Sequence, residues 1–179
     1  MEAKEWRDEQ FIKAIRQNRA GMFRVARMML RNDSDSEEAV AEATMKAYAH
    51  IGSLRSWDAV RPWLMRITVN TCHKVLRRRK RELPTDEQSV FDHPQEERER
   101  ADIWNDVEKL DEKYSVPLTM FYEEEMSLAE IAQALKLTRG TVSSRLTRGR
   151  QKLKAMLETY YDFDAASGLL DDEAFWAGN

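Results

Sequence analysis

The chain holds a single cysteine, Cys72, among its 179 residues, so it can form no intrachain disulfide and suits a reducing compartment. Its three histidines, His50, His73 and His93, do not stand with Cys72 at zinc-ligand spacing, and no metal is expected. Cys72 and His73 are adjacent, and neighbours on a helix do not face each other. The cysteine is therefore read as a small buried side chain in preference to a redox sensor. No stretch approaches the roughly 20 apolar residues of a membrane span, and the opening MEAKEWRDEQ has no apolar leader core. Glycine-rich phosphate loops and G-x-S-x-G elbows are missing, as are strand-like alternation and internal repeats. These absences argue against a disulfide scaffold, a membrane protein and the commoner catalytic classes. No catalytic residue and no cofactor is expected, and the expected setting is the cytoplasm.

What is present is charge, and it is segregated. The net charge is only -3, yet residues 1–82 carry 18 basic and 11 acidic side chains, and residues 83–126 carry 4 and 14. Residues 127–157 carry 7 basic and 1 acidic, and the last 22 residues carry 0 and 6. A basic face keeps its local field even when a distant segment cancels the total, so two basic blocks point to nucleic acid despite a pI near 5.8.

The pattern is all-α, in two small helical domains. In the first block, helices are expected over about Trp6–Arg19, Met22–Arg31, the mid-30s to Ile51, and Asp58–Arg81. Ser34 with Glu37, or Asp35 with Glu38, has capping-box spacing, and Val40, Ala43, Ala47, Tyr48 and Ile51 share one helix face. Gly52 is a candidate stop, and Pro62 is tolerated in the first turn of the long helix that ends in RRRKR (77–81). Residues 82–100 hold two prolines, many acids and no apolar period, and read as a flexible linker. Further helices are expected near 101–113, 115–124, 127–135 and 139–158, with Pro117 early in the second of these and Ser127–Glu130 as a capping box.

The most specific local signal is LAEIAQALKLTRGTVSSRLTRGRQKLK (128–154). Leu128, Ile131, Ala132 and Leu135 form one short apolar face, and Leu137, Val142, Leu146 and Leu153 continue the line on the next helix. Two such helices joined by Lys136-Leu137-Thr138 make a helix-turn-helix. Ser143, Ser144, Thr147 and Arg148 then fall where side chains reach base edges in a major groove. Arg139, Gly140, Thr141, Arg145, Arg150 and Lys152 are candidates for phosphate, with Lys154 read alike or as a packing residue, and Gly140 leaves room for close backbone approach. The competing reading is a solvated basic helix face.

The stretch 110–154, with S-x-x-E-I-A, G-T-V-x-S-R-L and R-x-R-x-x-L in order, resembles the promoter-reading domain of extracytoplasmic-function (ECF) sigma factors, group IV of the sigma-70 family. Upstream, DSEEAVAEATMKAYAHI and RPWLMRITVNTCHKVLRRRKR resemble the N-terminal domain of the same family. The resemblance implies four segments. Residues 1–81 would dock on polymerase and recognise and melt the −10 element, and 82–100 would be the linker. Residues 101–158 would read the −35 element, followed by an acidic aromatic tail at 159–179. Asp35, Glu38, Glu42, Lys46 and Tyr48 occupy positions that dock on the clamp coiled coil of the polymerase's largest subunit. Ala39, Ala41 and Thr44 stand where the family usually has a Leu, a Gln and an aromatic. Ser53, Leu54, Arg55, Ser56 and Trp57 would form the pocket for a flipped −10 base, and Arg61, Arg66, Asn70, His73, Lys74 and Arg77 would track the strand. Trp57 either stacks on a base or acts as a hydrophobic lid, Trp63 belongs to the core, and Arg77–Arg81 could also be a solvated helix end.

The implied partners are core RNA polymerase, promoter DNA and an anti-sigma factor, with no membrane contact and a nucleoid location when active. The alternative is a stand-alone helix-turn-helix regulator. The tail is either disordered or folds back on a basic DNA face.

Overall fold

The computed structural model of the protein describes residues 2–82 and 103–160, and all their regular structure is helical. The expected linker beyond Glu82 and the expected tail beyond Tyr160 lie outside the described residues. The chain divides into two compact units, one carrying the helices before residue 83 and the other most of those after residue 102.

In the first unit α1 (Glu2–Leu30), α2 (Asp33–Ala49) and α3 (Val60–Glu82) each pack on the other two. The polar run around Gln17–Arg19 suggests a break before Met22, but α1 runs unbroken through Gly21. A helical glycine costs about 1 kcal/mol relative to alanine. That cost is outweighed by one buried stripe along α1, formed by Phe11, Ala14, Asn18, Met22, Val25 and Met29. Asn18 is admitted to the stripe because its amide donates to the Ala14 carbonyl at 2.8 Å. From the other helices Ala43, Ala47, Leu64, Met65 and Cys72 complete the core.

Helix α2 is capped by Asn32, two residues before Ser34 and three before Asp35, the starts of the expected capping pairs. Asn32 is extended (φ −152°, ψ 125°), and its side chain accepts from the Asp35 N–H at 2.9 Å. Ser34 and Asp35 therefore fall inside the first turn. Gly52 does not act as a left-handed stop: α2 ends at Ala49 with His50 as its cap, and a short 3₁₀ turn covers Ile51–Ser53.

Arg79 ties the three helices together. Its guanidinium donates to the Leu30 carbonyl at the end of α1 (3.0 Å) and pairs with the Asp35 carboxylate in the first turn of α2. Arg79→Ala removes both interactions from a half-buried site. The expected cost is about 2 kcal/mol, seen as a lower urea midpoint at unchanged m.

The second unit contains α4 (Ile103–Glu108), α5 (Glu112–Leu118), α6 (Leu128–Leu135) and α7 (Arg139–Tyr160). The helix expected over 101–113 breaks at 109–111, so α5 starts early and Pro117 lies in its interior instead of its first turn. Proline offers no N–H to the ladder there. The chain then widens into a π turn over Thr119–Glu123, where the Glu124 N–H reaches the Thr119 carbonyl at 3.1 Å.

Two packing details position α7. Gly149 faces α5 so closely that a Cβ there would stand 3.0 Å from Leu118 Cδ1 and 3.3 Å from Tyr114 Cβ. At its start, the Thr138 hydroxyl accepts from the Thr141 N–H at 3.1 Å. The expected capping box of α6 is formed: the Ser127 N–H donates to Glu130 Oε2 at 2.9 Å, and the Glu130 N–H to Ser127 Oγ at 3.3 Å. Between α6 and α7, Lys136 is left-handed (φ 55°), as are Arg31 after α1 (φ 52°) and Glu125 after the π turn (φ 50°).

Candidate nucleic-acid interface

Val142, Leu146, Leu153 and Leu157 bury one side of α7, and helical geometry turns the opposite side outward. Ser143, Ser144, Thr147 and Arg148 are all exposed, as are Gly140, Lys152 and Lys154, while Arg139 is exposed as the first residue of the helix although it is in register with Val142 and Leu146. A cleft at the start of α7 is lined by Lys113, Tyr114, Thr138, Gly140, Thr141, Ser144, Arg145 and Arg148. Lys113 and Lys152 both lie over the Tyr114 ring, at 5.0 Å and 5.7 Å from its centroid. Three cationic side chains, Lys113, Arg145 and Arg148, thus flank the first turn of a 22-residue helix whose amides favour an anion. Lys113 comes from α5, well before α7 in the chain, and no spacing within the helix-turn-helix points to it.

Two further phosphate candidates on α7 are engaged within the unit. Arg150 is half-buried, donating to the Tyr122 hydroxyl at 3.1 Å and to Thr147 Oγ1 at 3.4 Å, so it anchors α7 against the π turn. Thr141 is half-buried, its hydroxyl 2.8 Å from that of Thr138.

In the first unit the loop before α3 consists of the Ile51–Ser53 turn and a second 3₁₀ turn at Trp57–Ala59. Ser53, Arg55 and Ser56 are exposed, while Leu54 and Trp57 are half-buried. On α3, Arg66, Asn70, His73, Lys74 and Arg77 lie within one turn-spaced stripe, with Asn70, Lys74 and Arg77 the outermost. Arg61 does not belong to it: nine residues before Asn70 is about two and a half turns, which places it on the other side of the helix. The basic run at the end of α3 also divides. Arg77, Arg78 and Arg81 point outward, while Arg79 faces inward to α1 and α2.

Most of the polymerase-docking candidates on α2 are engaged inside the unit. Asp35 holds Arg79, Lys46 reaches Thr71 Oγ1 at 3.2 Å, and Glu42 pairs with Lys46 (2.8 Å) and Lys74 (3.4 Å). Tyr48 donates to Asp8 Oδ1 at 3.1 Å and packs on Phe11, and the Asp8 acceptor and charge push its phenol above the ordinary 10.0. Glu38 stands exposed. Of the atypical positions, Ala39 is core, whereas Ala41 and Thr44 line an apolar groove between α1 and α2 with Ile15, Phe23 and Met45.

Glu42 has a pH signature. Its carboxyl is held below the ordinary 4.5, first by the hydrogen bond from Lys46 and further by the charges of Lys46 and Lys74, against the opposing effect of burial. A lowered carboxylate contributes stability that is complete above the ordinary value and is lost as pH falls through the folded one. Glu42→Gln should therefore narrow its gap from the wild type as urea midpoints are followed downward from about pH 6 to pH 3.

Two family models match the chain, one before and one after residue 83. The family model described as Sigma-70 region 2 matches residues 14–82, and that described as Sigma-70, region 4 matches residues 101–153. Over 151 residues the chain is 30% identical to the ECF RNA polymerase sigma factor SigM of Mycobacterium tuberculosis, covering 82% of this chain and 76% of that protein. It is 28% identical over 154 residues to the ECF RNA polymerase sigma factor SigW of Bacillus subtilis, covering 76% and 82%. Among solved structures, the fold resembles the sigma factor RpoE in complex with the anti-sigma factor NepR from Bartonella quintana. The TM-score is 0.68 at 18% identity, over 84% of this chain and 98% of that one. It also resembles CnrH in complex with the cytosolic domain of CnrY, with a TM-score of 0.62 at 20% identity, over 84% and 88%.

Proposed function

Since the chain belongs to the extracytoplasmic-function group of sigma-70 RNA polymerase sigma factors, we propose that it directs core polymerase to promoters by reading two elements with two units. Residues 101–158 take the −35 element: Ser143, Ser144, Thr147 and Arg148 meet base edges, while Arg139, Gly140, Arg145 and Lys152, joined by Lys113, hold phosphates. Residues 1–81 take the −10 element: the loop from Ser53 to Trp57 receives an unstacked base, and Asn70, Lys74 and Arg77 carry the released strand. The exposed face of α2, with Glu38, Ala41 and Met45, docks on the clamp coiled coil of the largest subunit.

The observation that supports this reading is the outward stripe Asn70–Lys74–Arg77 on the helix that follows an exposed loop, in the unit that carries the helices before residue 83 and not the recognition helix α7. A stand-alone duplex regulator needs only the second unit and a way to dimerise. Melting needs the first. The polymerase performs the catalysis, and this chain acts as an initiation factor with no catalytic residue of its own. RpoE and CnrH were each solved with a protein partner, NepR and CnrY. By analogy an anti-sigma factor would restrain this chain in the cytoplasm until it joins polymerase on the nucleoid.

The test is abortive transcription from a pool of bacterial promoter fragments, with core polymerase alone, with core polymerase plus this protein, and a gel-shift of the protein alone. Product that requires both components is the expected result and yields the promoter for sequencing. Tight duplex binding without initiation would instead make the chain a regulator.

A further inference from the structure

Helix α1 begins at Glu2, whereas the matched sigma-70 region 2 begins at residue 14. The first turns of α1 therefore lie before the matched segment, and they carry three side chains that reach across to it. Phe11 packs on Tyr48 with ring centroids 5.3 Å apart, Asp8 accepts from the Tyr48 hydroxyl, and Trp6 meets Trp57 in a T-shaped pair at 6.0 Å and 90°. Asp8 and Phe11 hold the end of α2, where the loop toward α3 starts, and Trp6 holds the point where that loop ends.

The loop has few restraints of its own. The hydrogen bonds described within it join residues three apart or closer: the Ser53 N–H to the His50 carbonyl at 2.8 Å, Leu54 to Ile51 at 3.1 Å, and Ala59 to Ser56 at 3.1 Å. Ser56 and Asp58 bond to each other, at 3.2 Å. Such bonds shape turns but do not orient the loop against the helices. An edge-to-face aromatic pair does orient a ring, because its quadrupole favours one angle. Trp6 itself is 53% exposed, more than its size would suggest for a residue placed there for core packing.

We infer that Trp6 is a positioning residue for promoter opening: it fixes the plane of Trp57 and so preforms the loop that receives the −10 base. This rests on the proposed role of the loop from Ser53 to Trp57. A loop already shaped for the base loses less entropy on capture, and the gain appears in strand opening and not in docking on polymerase or in −35 binding.

The experiment uses the full chain with core polymerase on the promoter recovered above, with 2-aminopurine in the −10 element reporting opening. Trp6→Ala should slow opening by roughly 3- to 10-fold, the range of one aromatic pair, while Trp6→Phe retains most of the rate. Polymerase affinity and −35 duplex affinity should stay at the wild-type values, and the protein should remain fully folded at the assay temperature. In a Trp57→Ala background, Trp6→Ala should have no further effect. A wild-type rate in Trp6→Ala overturns the inference. So does an equal loss with and without Trp57, or a loss that disappears when the assay temperature is lowered enough to refold the variant. If the wild-type holoenzyme itself initiates but shows no −10 opening signal, the assigned role of the loop fails first, and this inference with it.

Discussion

Gly149→Ala should lower the stability of the second unit by about 2 kcal/mol, the overpacking of a tight crossing outweighing the roughly 1 kcal/mol that alanine gains over glycine in a helix. The added methyl would sit 3.0 Å from Leu118 Cδ1 and 3.3 Å from Tyr114 Cβ. Leu118 is itself buried, and Tyr114 carries Lys113 and Lys152 over its ring, so neither neighbour yields cheaply. For a unit of this size the shift corresponds to a midpoint lower by about 10 °C, measurable on the full chain by following the second transition in a thermal scan. Gly140→Ala is the built-in contrast. A Cβ there meets nothing nearer than Thr138 Oγ1 at 3.9 Å, so the fold should keep its midpoint or gain slightly from alanine's better helix propensity. Any loss in that variant should appear only as weaker promoter binding, where the methyl meets a phosphate. If both variants lose stability alike, the close crossing of α5 and α7 at Gly149 is not the cause.

Arg148→Ala should relax the preference at one or two −35 positions, costing roughly 1–3 kcal/mol there and little elsewhere. Arg148 stands exposed on the outward side of α7 beside Ser144, where a planar fork can address a guanine edge. Lys152→Ala serves as its control. Taking one cation away from the phosphates weakens all sequences alike and reduces the salt slope of binding by about 1. The measurement is competition of the holoenzyme for single-base promoter variants at two salt concentrations. Uniform weakening by Arg148→Ala would reassign it to phosphate.

The helix-turn-helix was legible because its determinants are local. Ser127 and Glu130 meet three residues apart, Ile131 and Ala132 lie on the buried face of α6, and Val142 and Leu146 repeat at helical spacing on α7. Features set by distant partners were not legible. Asn32, Asp33, Ser34, Asp35 and Ser36 are all acceptable capping residues, and it is Arg79, more than forty positions away, that takes Asp35 and leaves Asn32 as the cap. The polar Gln17–Arg19 stretch looks like a helix end until Asn18 is seen folded onto its own backbone. Glu42, Lys46 and Lys74 read as surface charges available to a partner, yet two helices bring them into a shared network. Trp6 and Trp57 are related only through the tertiary fold. The displacement of Arg61 from the α3 stripe, by contrast, follows from helical period alone.

The left-handed residues Arg31, Glu125 and Lys136 bear on how long the protein lasts. Each carries a Cβ where glycine would sit without strain, at about 1–2 kcal/mol apiece. Two of the three, Glu125 and Lys136, flank α6. An extra 1.4 kcal/mol of strain raises the unfolded fraction about tenfold, and proteases draw on that fraction. Glycine at these positions would relieve that strain, so Lys136→Gly should slow cleavage of the purified protein by a protease that acts on its opened state, by at most about tenfold.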